Sequence, residues 1–386
     1  MDQDSLITIR IRDSQREDLR WAIGMQMSLP GSLVRDTLLL EDAKQPQGWK
    51  IPESPPLIPS AASSSLRLRS AFTLRKPLSS RLPFSYHHVP APLRMGIGAV
   101  IGRWRRKQLE RWDSFPRWPL DLSADFLDDL GGVSPSHFAK GPTPILLSHD
   151  VDSAEGLRNL VKHFLPLEES AGARSVNFIV PCSWPLDHHL LVEVRARGHE
   201  IGVHGYDHSN RTPFAGQRER EHRLRRGIET LARYGARGYR SPSLVRTPFL
   251  LKDLACLYDY DSSIPTSGGM FPVPNNGCAS ARPFRVQGIA EIPLSLPRDG
   301  SLRFLNYSPG EILRLWIDCA EQISKSGGVV VLLTHCEERF SGNPPMLDTY
   351  ERFLDWIGSS GRYCWSTPEA VLAQAFGSQQ TPASQA

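Results

Sequence analysis

The feature that most constrains the fold is a regular alternation of short apolar runs and helical segments, which begins after Gly141. The apolar runs predict strands at 144–148, 175–180, 199–204, around 239, 290–296, 329–334 and 363–366. The segments between them predict helices at 154–170, 186–197, 217–234, 248–258, 311–324 and 368–375. About seven such units predict an α/β fold, a parallel sheet closed or nearly closed into a distorted (β/α) barrel. An open doubly wound sheet is the alternative, although no G-x-G-x-x-G motif follows the first strand.

The rest of the chain has a different composition. Residues 1–94 are rich in Pro and Ser, and we expect an extension that is partly mobile or wraps the barrel. Residues 95–140 combine a basic helical stretch with an aromatic, Pro-punctuated run and are interpreted as a connector. The catalytic barrel is expected at 141–376, and a disordered tail at 377–386.

Charge is distributed unevenly along the chain. Residues 1–120 hold 19 of the 45 Lys and Arg but only 11 of the 41 Asp and Glu. A basic arm can contact an acidic glycan, a nucleic acid or an anionic membrane, or it can simply be solvated. We expect no nucleic acid partner. The apolar run 95–101 precedes four basic residues, so the segment 95–112 is a candidate for peripheral membrane contact. The oligomeric state stays open.

Cysteine usage and the chain start bear on the compartment. The six cysteines form no C-x-x-C pair, which fits a reducing environment in which they act as small apolar side chains. The first residues are acidic where a signal peptide is basic, and no apolar run approaches the roughly 20 residues of a spanning helix. These features predict a cytoplasmic location.

Polar side chains with catalytic chemistry follow four of the predicted strands. In a β/α barrel the carboxyl ends of all strands open on one face, so these residues should converge there. Each motif alone is weak, because an H-x-x-x-H pair or an Asp-x-Asp turn is common by chance. The six residues are Asp150, Asp152, His204, His208, Arg240 and His335.

This set supplies each role that hydrolysis of an amide requires. Two imidazoles and one carboxylate can hold a metal ion with positions left open for water and substrate. A second carboxylate can accept the proton of the attacking water, and a histidine opposite can protonate the departing amine. An arginine can keep the accepting carboxylate ionised and oriented.

The ordered series resembles the polysaccharide deacetylase family, carbohydrate esterase family four, over about 60% of the chain, residues 144–375. The first motif, Ser-His-Asp-Val-Asp, is similar to a D-x-D variant, and the resemblance implies Asp150 as base and Asp152 as metal ligand. The second, His-Gly-Tyr-Asp-His, implies His204 and His208 as further ligands. Tyr206, inside this motif, is a candidate for substrate contact.

The later motifs imply the remaining roles. Arg-Ser-Pro implies Arg240 as the residue that orients the base and Ser243 as an oxyanion donor through its backbone N–H. Leu-Thr-His implies Leu333 at the acyl pocket and His335 as general acid. The fourth motif keeps only an Asp, and we expect Asp261 to be the carboxylate beside His335.

The resemblance implies a metal-dependent hydrolase, with Zn²⁺ expected and Co²⁺ or Ni²⁺ as alternatives, that removes an N-acyl group from an amino sugar in a glycan or glycan precursor. The chain departs from the family pattern at Gly205, where a hydroxyl residue is usual, and lacks the Gly-Pro and Trp of other motifs. Two alternatives stay open: an allantoinase-like amidohydrolase acting on a small cyclic amide without metal, and a non-catalytic glycan-binding barrel.

Overall fold

A computed structural model describes residues 76–81, 91–109, 118–120, 122, 141–267, 277–278 and 280–377. The predictions made for most of 1–94, for nearly all of 110–140 and for 378–386 concern residues outside these ranges. None of the described helices is long and apolar enough to cross a membrane.

The described chain alternates strands and helices as predicted. The strands are β1 Thr143–Val151, β2 Ser175–Ile179, β3 Glu200–His204, β4 Gly238–Arg240, β5 Tyr260–Asp261, β6 Phe284–Val286, β7 Ile289–Glu291, β8 Val330–His335 and β9 Tyr363–Trp365. The α-helices are α1 Ala91–Leu109, α2 Ala154–Asn159, α3 Leu165–Ser170, α4 His188–Ala196, α5 Gln217–Leu231, α6 Pro248–Leu254, α7 Asp299–Phe304, α8 Pro309–Ser326, α9 Pro344–Ser360 and α10 Pro368–Phe376. The helix predicted at 154–170 is α2 and α3 joined by one π-helical turn, Leu160–Phe164.

The sheet curls into a barrel. Its strand order is β6-β7-β5-β4-β3-β2-β1-β8, with β9 paired to the start of β1, and all pairs are parallel except β6 with β7. The segment after β7 closes the ring onto β8: Leu296 N donates to Val331 O at 3.1 Å, and Val331 N donates to Ser295 Oγ at 2.8 Å. The predicted distorted (β/α) barrel is confirmed, and the open doubly wound sheet is excluded.

Side-chain alternation separates two cores. On β8, Val331 and Leu333 point into the barrel, where they join Leu146 and Phe178. Val330 and Leu332 point outward into the larger core beneath the helices. Successive residues of a strand face opposite sides. In a (β/α) barrel one side is the barrel interior and the other is covered by helices, so both sides are buried and the strand sequence is a continuous apolar run. That is why short apolar runs, and not alternating ones, marked these strands in the sequence.

The helices begin and end at recognisable signals. Ser308 accepts a hydrogen bond from Glu311 N while the Glu311 carboxylate accepts one from Ser308 N, a capping box that begins α8. The helix ends at Gly327, whose φ of 69° is the left-handed conformation that glycine adopts without strain. At the starts of α9 and α10, the side chains of Asn343 and Thr367 each accept a hydrogen bond from the backbone N–H three residues later, and each is followed by Pro.

Candidate active site

The D-x-D motif lies on the last residues of β1 and just beyond them. Because side chains alternate, Ser148, Asp150 and Asp152 share the interior face of the strand. His149 faces the helices instead, where its Nε2 lies 2.6 Å from the Glu168 carboxylate. A spacing of two on a strand therefore brings both aspartates to the mouth of the barrel, and both are buried.

Three predicted ligands come together beside Asp150. Asp152 Oδ1 lies 3.5 Å from His204 Nε2 and 3.3 Å from His208 Nε2, and one ligand atom from each residue fits within 4.8 Å of the other two. A tetrahedral ion bound at 2.0–2.1 Å places its ligand atoms about 3.3 Å apart. The geometry of the three residues thus fits a zinc-sized ion.

The hydrogen bond of one histidine and the pKa of the other also suit metal binding. His204 Nδ1–H donates to the backbone carbonyl of Arg240 at 3.0 Å, which leaves the Nε2 lone pair free to face Asp152. Burial lowers the pKa of His208 to about 4, against the opposing effect of Asp152, so this imidazole is neutral at physiological pH. Neutral imidazole nitrogens with one carboxylate oxygen form a donor set suited to Zn²⁺, Co²⁺ or Ni²⁺.

The loop that carries the second histidine is held in an uncommon conformation. Gly205, His208 and Asn210 all have φ between 58° and 66°, in the left-handed region. A Cβ at Gly205 would lie 2.5 Å from the Pro242 ring, so this position has no room for the hydroxyl residue usual in the family. Instead, Asn210 Nδ2 donates to Ser243 Oγ at 3.1 Å and ties the loop to the turn after β4. The contact between Asn210 and Ser243 thus braces the histidine loop in this chain.

Replacing Gly205 with Ser should therefore damage the site. The serine would adopt φ near 66° and overlap Pro242, which together should displace His208 and lower stability by about 1–3 kcal/mol. We expect metal content well below one ion per chain and a lower Tm. The matched control is Gly216→Ser at the start of α5, where φ is −60° and a Cβ would have nothing within 4 Å. Equal Tm and metal content in both variants would contradict this account.

Arg240 lies fully buried at the end of β4 and holds Asp150. Its Nη1 donates to Asp150 Oδ1 at 3.1 Å and to Ser148 Oγ at 3.0 Å, while Nε and Nη2 donate to the carbonyl and hydroxyl of Ser262 at 2.9 Å. The guanidinium carbon lies 4.1 Å from the centre of the Phe178 ring. These contacts give Arg240 one position, from which it fixes the orientation of the Asp150 carboxylate.

His335 stands on the other side of the ligand set, at the end of β8. Its partner is Asp299, the first residue of α7: Nδ1 lies 2.7 Å from Oδ1, and the His335 backbone N–H donates to Oδ2 at 2.7 Å. Burial by itself lowers the pKa of His335, but the Asp299 carboxylate, with smaller contributions from Asp152 and Asp150, raises it to about 9. The imidazole is therefore protonated at neutral pH.

The predicted pairing of His335 with Asp261 is wrong. Asp261 ends β5 and accepts a hydrogen bond from Ser263 Oγ at 2.6 Å. Burial raises its pKa, and burial together with the charge of Asp261 raises the pKa of Glu291 in β7, near the buried Arg246. Two carboxyls so close cannot both ionise, so this pair is a neutral or singly charged part of the wall. The carboxylate that contacts His335 is that of Asp299.

Two residues of the site escaped the sequence analysis. Asp299 follows the strand predicted at 290–296 by three residues, so its position beyond a strand end could have marked it. Glu337, two residues after His335, accepts from Asp152 N at 3.0 Å and from Ser153 Oγ at 2.8 Å. Burial and the charge of Asp152 raise its pKa to about 7. Glu337 fixes the backbone that presents the Asp152 ligand.

The three predicted substrate residues occupy different surroundings. Leu333 is buried inside the barrel and is paired in register with Ser148 of the neighbouring strand β1. Ser243 and Leu244 both have positive φ, 53° and 56°, in the turn after Pro242. The Tyr206 ring packs 5.0 Å from the Arg223 guanidinium of α5. Their contacts with substrate remain predictions.

No family model matches the chain, and no curated protein matches it either. Solved structures do resemble it, and we compare three. A protein from Mycobacterium smegmatis assigned as a polysaccharide deacetylase is 21% identical, with 61% of this chain and 92% of that chain covered and a TM-score of 0.49. One from Pseudomonas aeruginosa PAO1 with the same assignment is 14% identical, with 68% and 100% covered and a TM-score of 0.49. The chitin deacetylase of Colletotrichum lindemuthianum is 15% identical, with 59% and 86% covered and a TM-score of 0.39.

The fold and the site define the chain as a distorted (β/α) barrel with an Asp-His-His set at its carboxyl rim. The TM-scores of the three solved structures are all below 0.5, so activity and substrate are argued from the site alone.

Proposed function

We propose that the chain is a metal-dependent hydrolase that removes an N-acyl group, above all N-acetyl, from an amino sugar in a glycan or glycan precursor. One arrangement carries the proposal. The ligand atoms of Asp152, His204 and His208 lie within 4.8 Å of one another. Beside them, Asp150 is hydrogen-bonded to Arg240, and His335 is hydrogen-bonded to Asp299. It combines an ion site, a proton acceptor and a proton donor at one barrel mouth.

Asp150 is the proton acceptor in this proposal. Its Oδ1 is occupied by Arg240, while Oδ2 lies 3.5 Å from His204 Nε2 and thus faces the ligand set. A water held there would pass its proton to Oδ2 as it attacks the acyl carbon. Arg240 fixes the orientation of this carboxylate through the hydrogen bond to Oδ1.

His335 is the proton donor. Its Nδ1 is held by Asp299, so the Nε2–H is the proton that the ring can give away. An amine leaves an acyl carbon only after it is protonated, and an imidazolium with a pKa of about 9 carries that proton at neutral pH. The backbone N–H of Ser243 is the proposed donor to the oxyanion that forms on the acyl oxygen.

The ion that we propose at Asp152, His204 and His208 is Zn²⁺, with Co²⁺ or Ni²⁺ able to replace it. When bound, it supplies Lewis-acid polarisation of the acyl carbonyl and acidifies water. Glu337 holds the Asp152 backbone, and the Arg240 carbonyl holds the His204 ring, so both ligands are positioned before the ion binds.

Metal analysis combined with amine release tests the proposal. We expect one divalent ion per wild-type chain and release of free amine from N-acetylated amino sugars. His208→Ala should lose the ion and the activity because one of three ligands is removed. His222→Ala, on the exposed face of α5, is the matched control and should keep both. One ion per chain in His208→Ala would contradict the ligand assignment, and amide hydrolysis that survives chelation would favour the metal-free amidohydrolase.

A further inference from the structure

Helix α1 packs against α7 beside the mouth of the barrel. Gly102 approaches α7 so closely that a Cβ there would lie 1.7 Å from the Phe304 carbonyl. Arg106 donates to the Asn306 carbonyl at 2.8 Å and to the Glu311 carboxylate at 2.7 Å. These contacts are at the end of α7 and the start of α8. Phe304 follows Asp299 by five residues on α7, so the contact lies about 7.5 Å along that helix from the partner of His335.

The opposite side of α1 carries an apolar stripe. Each residue of an α-helix is rotated by about 100° from the one before it, and this rotation places the members of the stripe in one arc of about 100°, on the side away from Gly102. All five are exposed in the described part of the chain, Val100 to 69% and Trp104 to 57%. The stripe consists of Leu93, Ile97, Val100, Ile101 and Trp104.

Basic side chains border this stripe on both flanks. Arg103 and Lys107 are exposed along one edge, and Arg105 lies along the other with its guanidinium 5.3 Å from the Trp104 ring. Arg106, by contrast, is turned to the barrel. An apolar stripe with a tryptophan and cations on both edges matches the chemistry of a bilayer interface, where acyl chains lie between anionic head groups. A protein partner complementary to this stripe would need an apolar groove with acidic residues along both edges.

We propose that the α1 stripe, with Arg103, Arg105 and Lys107 at its edges, seats the chain on an anionic membrane surface. The barrel mouth then opens beside the head groups. The substrate inferred from this placement, which rests on the proposed function, is an amino sugar attached to a lipid. The stripe enters the interface without spanning it, and the sugar reaches the site from the membrane side.

Vesicle binding tests the surface without any need for activity. The full chain should bind vesicles that contain phosphatidylglycerol in phosphatidylcholine more tightly than phosphatidylcholine alone, with affinity falling as salt rises. Ile97→Glu/Trp104→Glu should lower the affinity about tenfold or more. Val192→Glu, an exposed apolar residue on α4, is the matched control and should bind like wild type. Because all three residues are exposed, the Tm of each variant should stay unchanged.

The charged edges have their own variants. Arg103→Glu/Lys107→Glu should lower affinity for anionic vesicles by at least about fivefold per charge. Arg218→Glu/Arg225→Glu makes the same change in charge on the exposed face of α5 and should have a much smaller effect. Absence of wild-type binding, or equal losses in the stripe and control variants, would overturn the proposal. A dimer that the stripe variant dissociates, without vesicle binding, would assign the stripe to a second copy and overturn it as well.

The substrate is tested with two glycosides of N-acetylglucosamine. Ile97→Glu/Trp104→Glu should lower kcat/KM for the hexadecyl glycoside in anionic vesicles and leave the methyl glycoside in solution unchanged. Equal kcat/KM ratios of variant to wild type on both would overturn the lipid-linked substrate. Vesicle binding without amine release from either glycoside would leave the membrane surface standing and reject the hydrolase proposal together with its lipid-linked substrate.

Discussion

Asp150→Asn is expected to lower kcat about 10³-fold while the metal content stays at one ion per chain. The asparagine can still accept a hydrogen bond from Arg240 but cannot take the proton of the attacking water. The three proposed ligands, Asp152, His204 and His208, are untouched. A buried Arg240 without its carboxylate should also lower the Tm, since breaking a buried ion pair is costly. Amine release and metal analysis on the same preparation measure both effects.

The control for this variant is Ser148→Ala. It removes another partner of Arg240, the hydroxyl at 3.0 Å, and leaves the proton acceptor in place. We expect a loss in kcat below about tenfold, together with a smaller decrease in Tm. If Asp150→Asn kept more than a tenth of wild-type kcat, or fell no further than Ser148→Ala, Asp150 would not be the base.

Asp299→Asn is expected to move the alkaline limb of the pH–rate profile toward neutral pH. His335 must be protonated to act, so the wild-type rate should fall as pH rises through about 9. Without the Asp299 carboxylate, burial dominates and lowers the pKa of His335. The limb should shift down by more than one pH unit, and kcat at pH 8 should fall about 10- to 100-fold. Profiles of kcat from about pH 5 to 10 measure the shift, because this range includes both the ordinary pKa of histidine and the raised value of about 9.

Ser341→Ala is the matched control, because it removes a hydrogen bond of 2.7 Å to Asp299 but keeps the carboxylate. Its limb should stay within a few tenths of a unit of wild type. An unchanged alkaline limb in Asp299→Asn would mean that another group sets it.

The role of His335 itself is tested by His335→Ala, which should strongly slow hydrolysis of an N-acetyl sugar and spare that of an aryl ester, whose leaving group needs no proton. Equal losses on both substrates would reassign His335 to substrate positioning.

The same pair links pH to stability. The pKa of His335 is raised above the value of an unfolded histidine, so its contribution to the free energy of unfolding is full below about pH 6.5 and is lost as pH rises through about 9. For Asp299, burial opposes ionisation, but His335 and the surrounding hydrogen bonds lower the pKa overall. Its contribution is therefore present above about pH 4 and is lost as pH falls through the lowered value.

The predicted site residues differ in how well the sequence located them. Asp150 and Asp152 were predictable because a spacing of two on a strand puts both side chains on one face whatever the rest of the fold does. Arg240 and His335 each end a strand, and the parallel barrel brings strand ends together. The partner of His335 was not predictable in this way. Asp261 and Asp299 both lie at or beyond strand ends, and only the folded barrel shows that Asp299 is the one beside His335.

What the sequence alone determined is the barrel, the end at which the site lies and the residue types that meet there. These follow from local periodicity and from the common direction of parallel strands. Tertiary structure decided which carboxylate supports His335, how the His208 loop is braced against Pro242, and that one side of α1 stays exposed beside the mouth. Each of these depends on contacts between segments far apart in the chain, with distances of a few ångströms that no local pattern encodes.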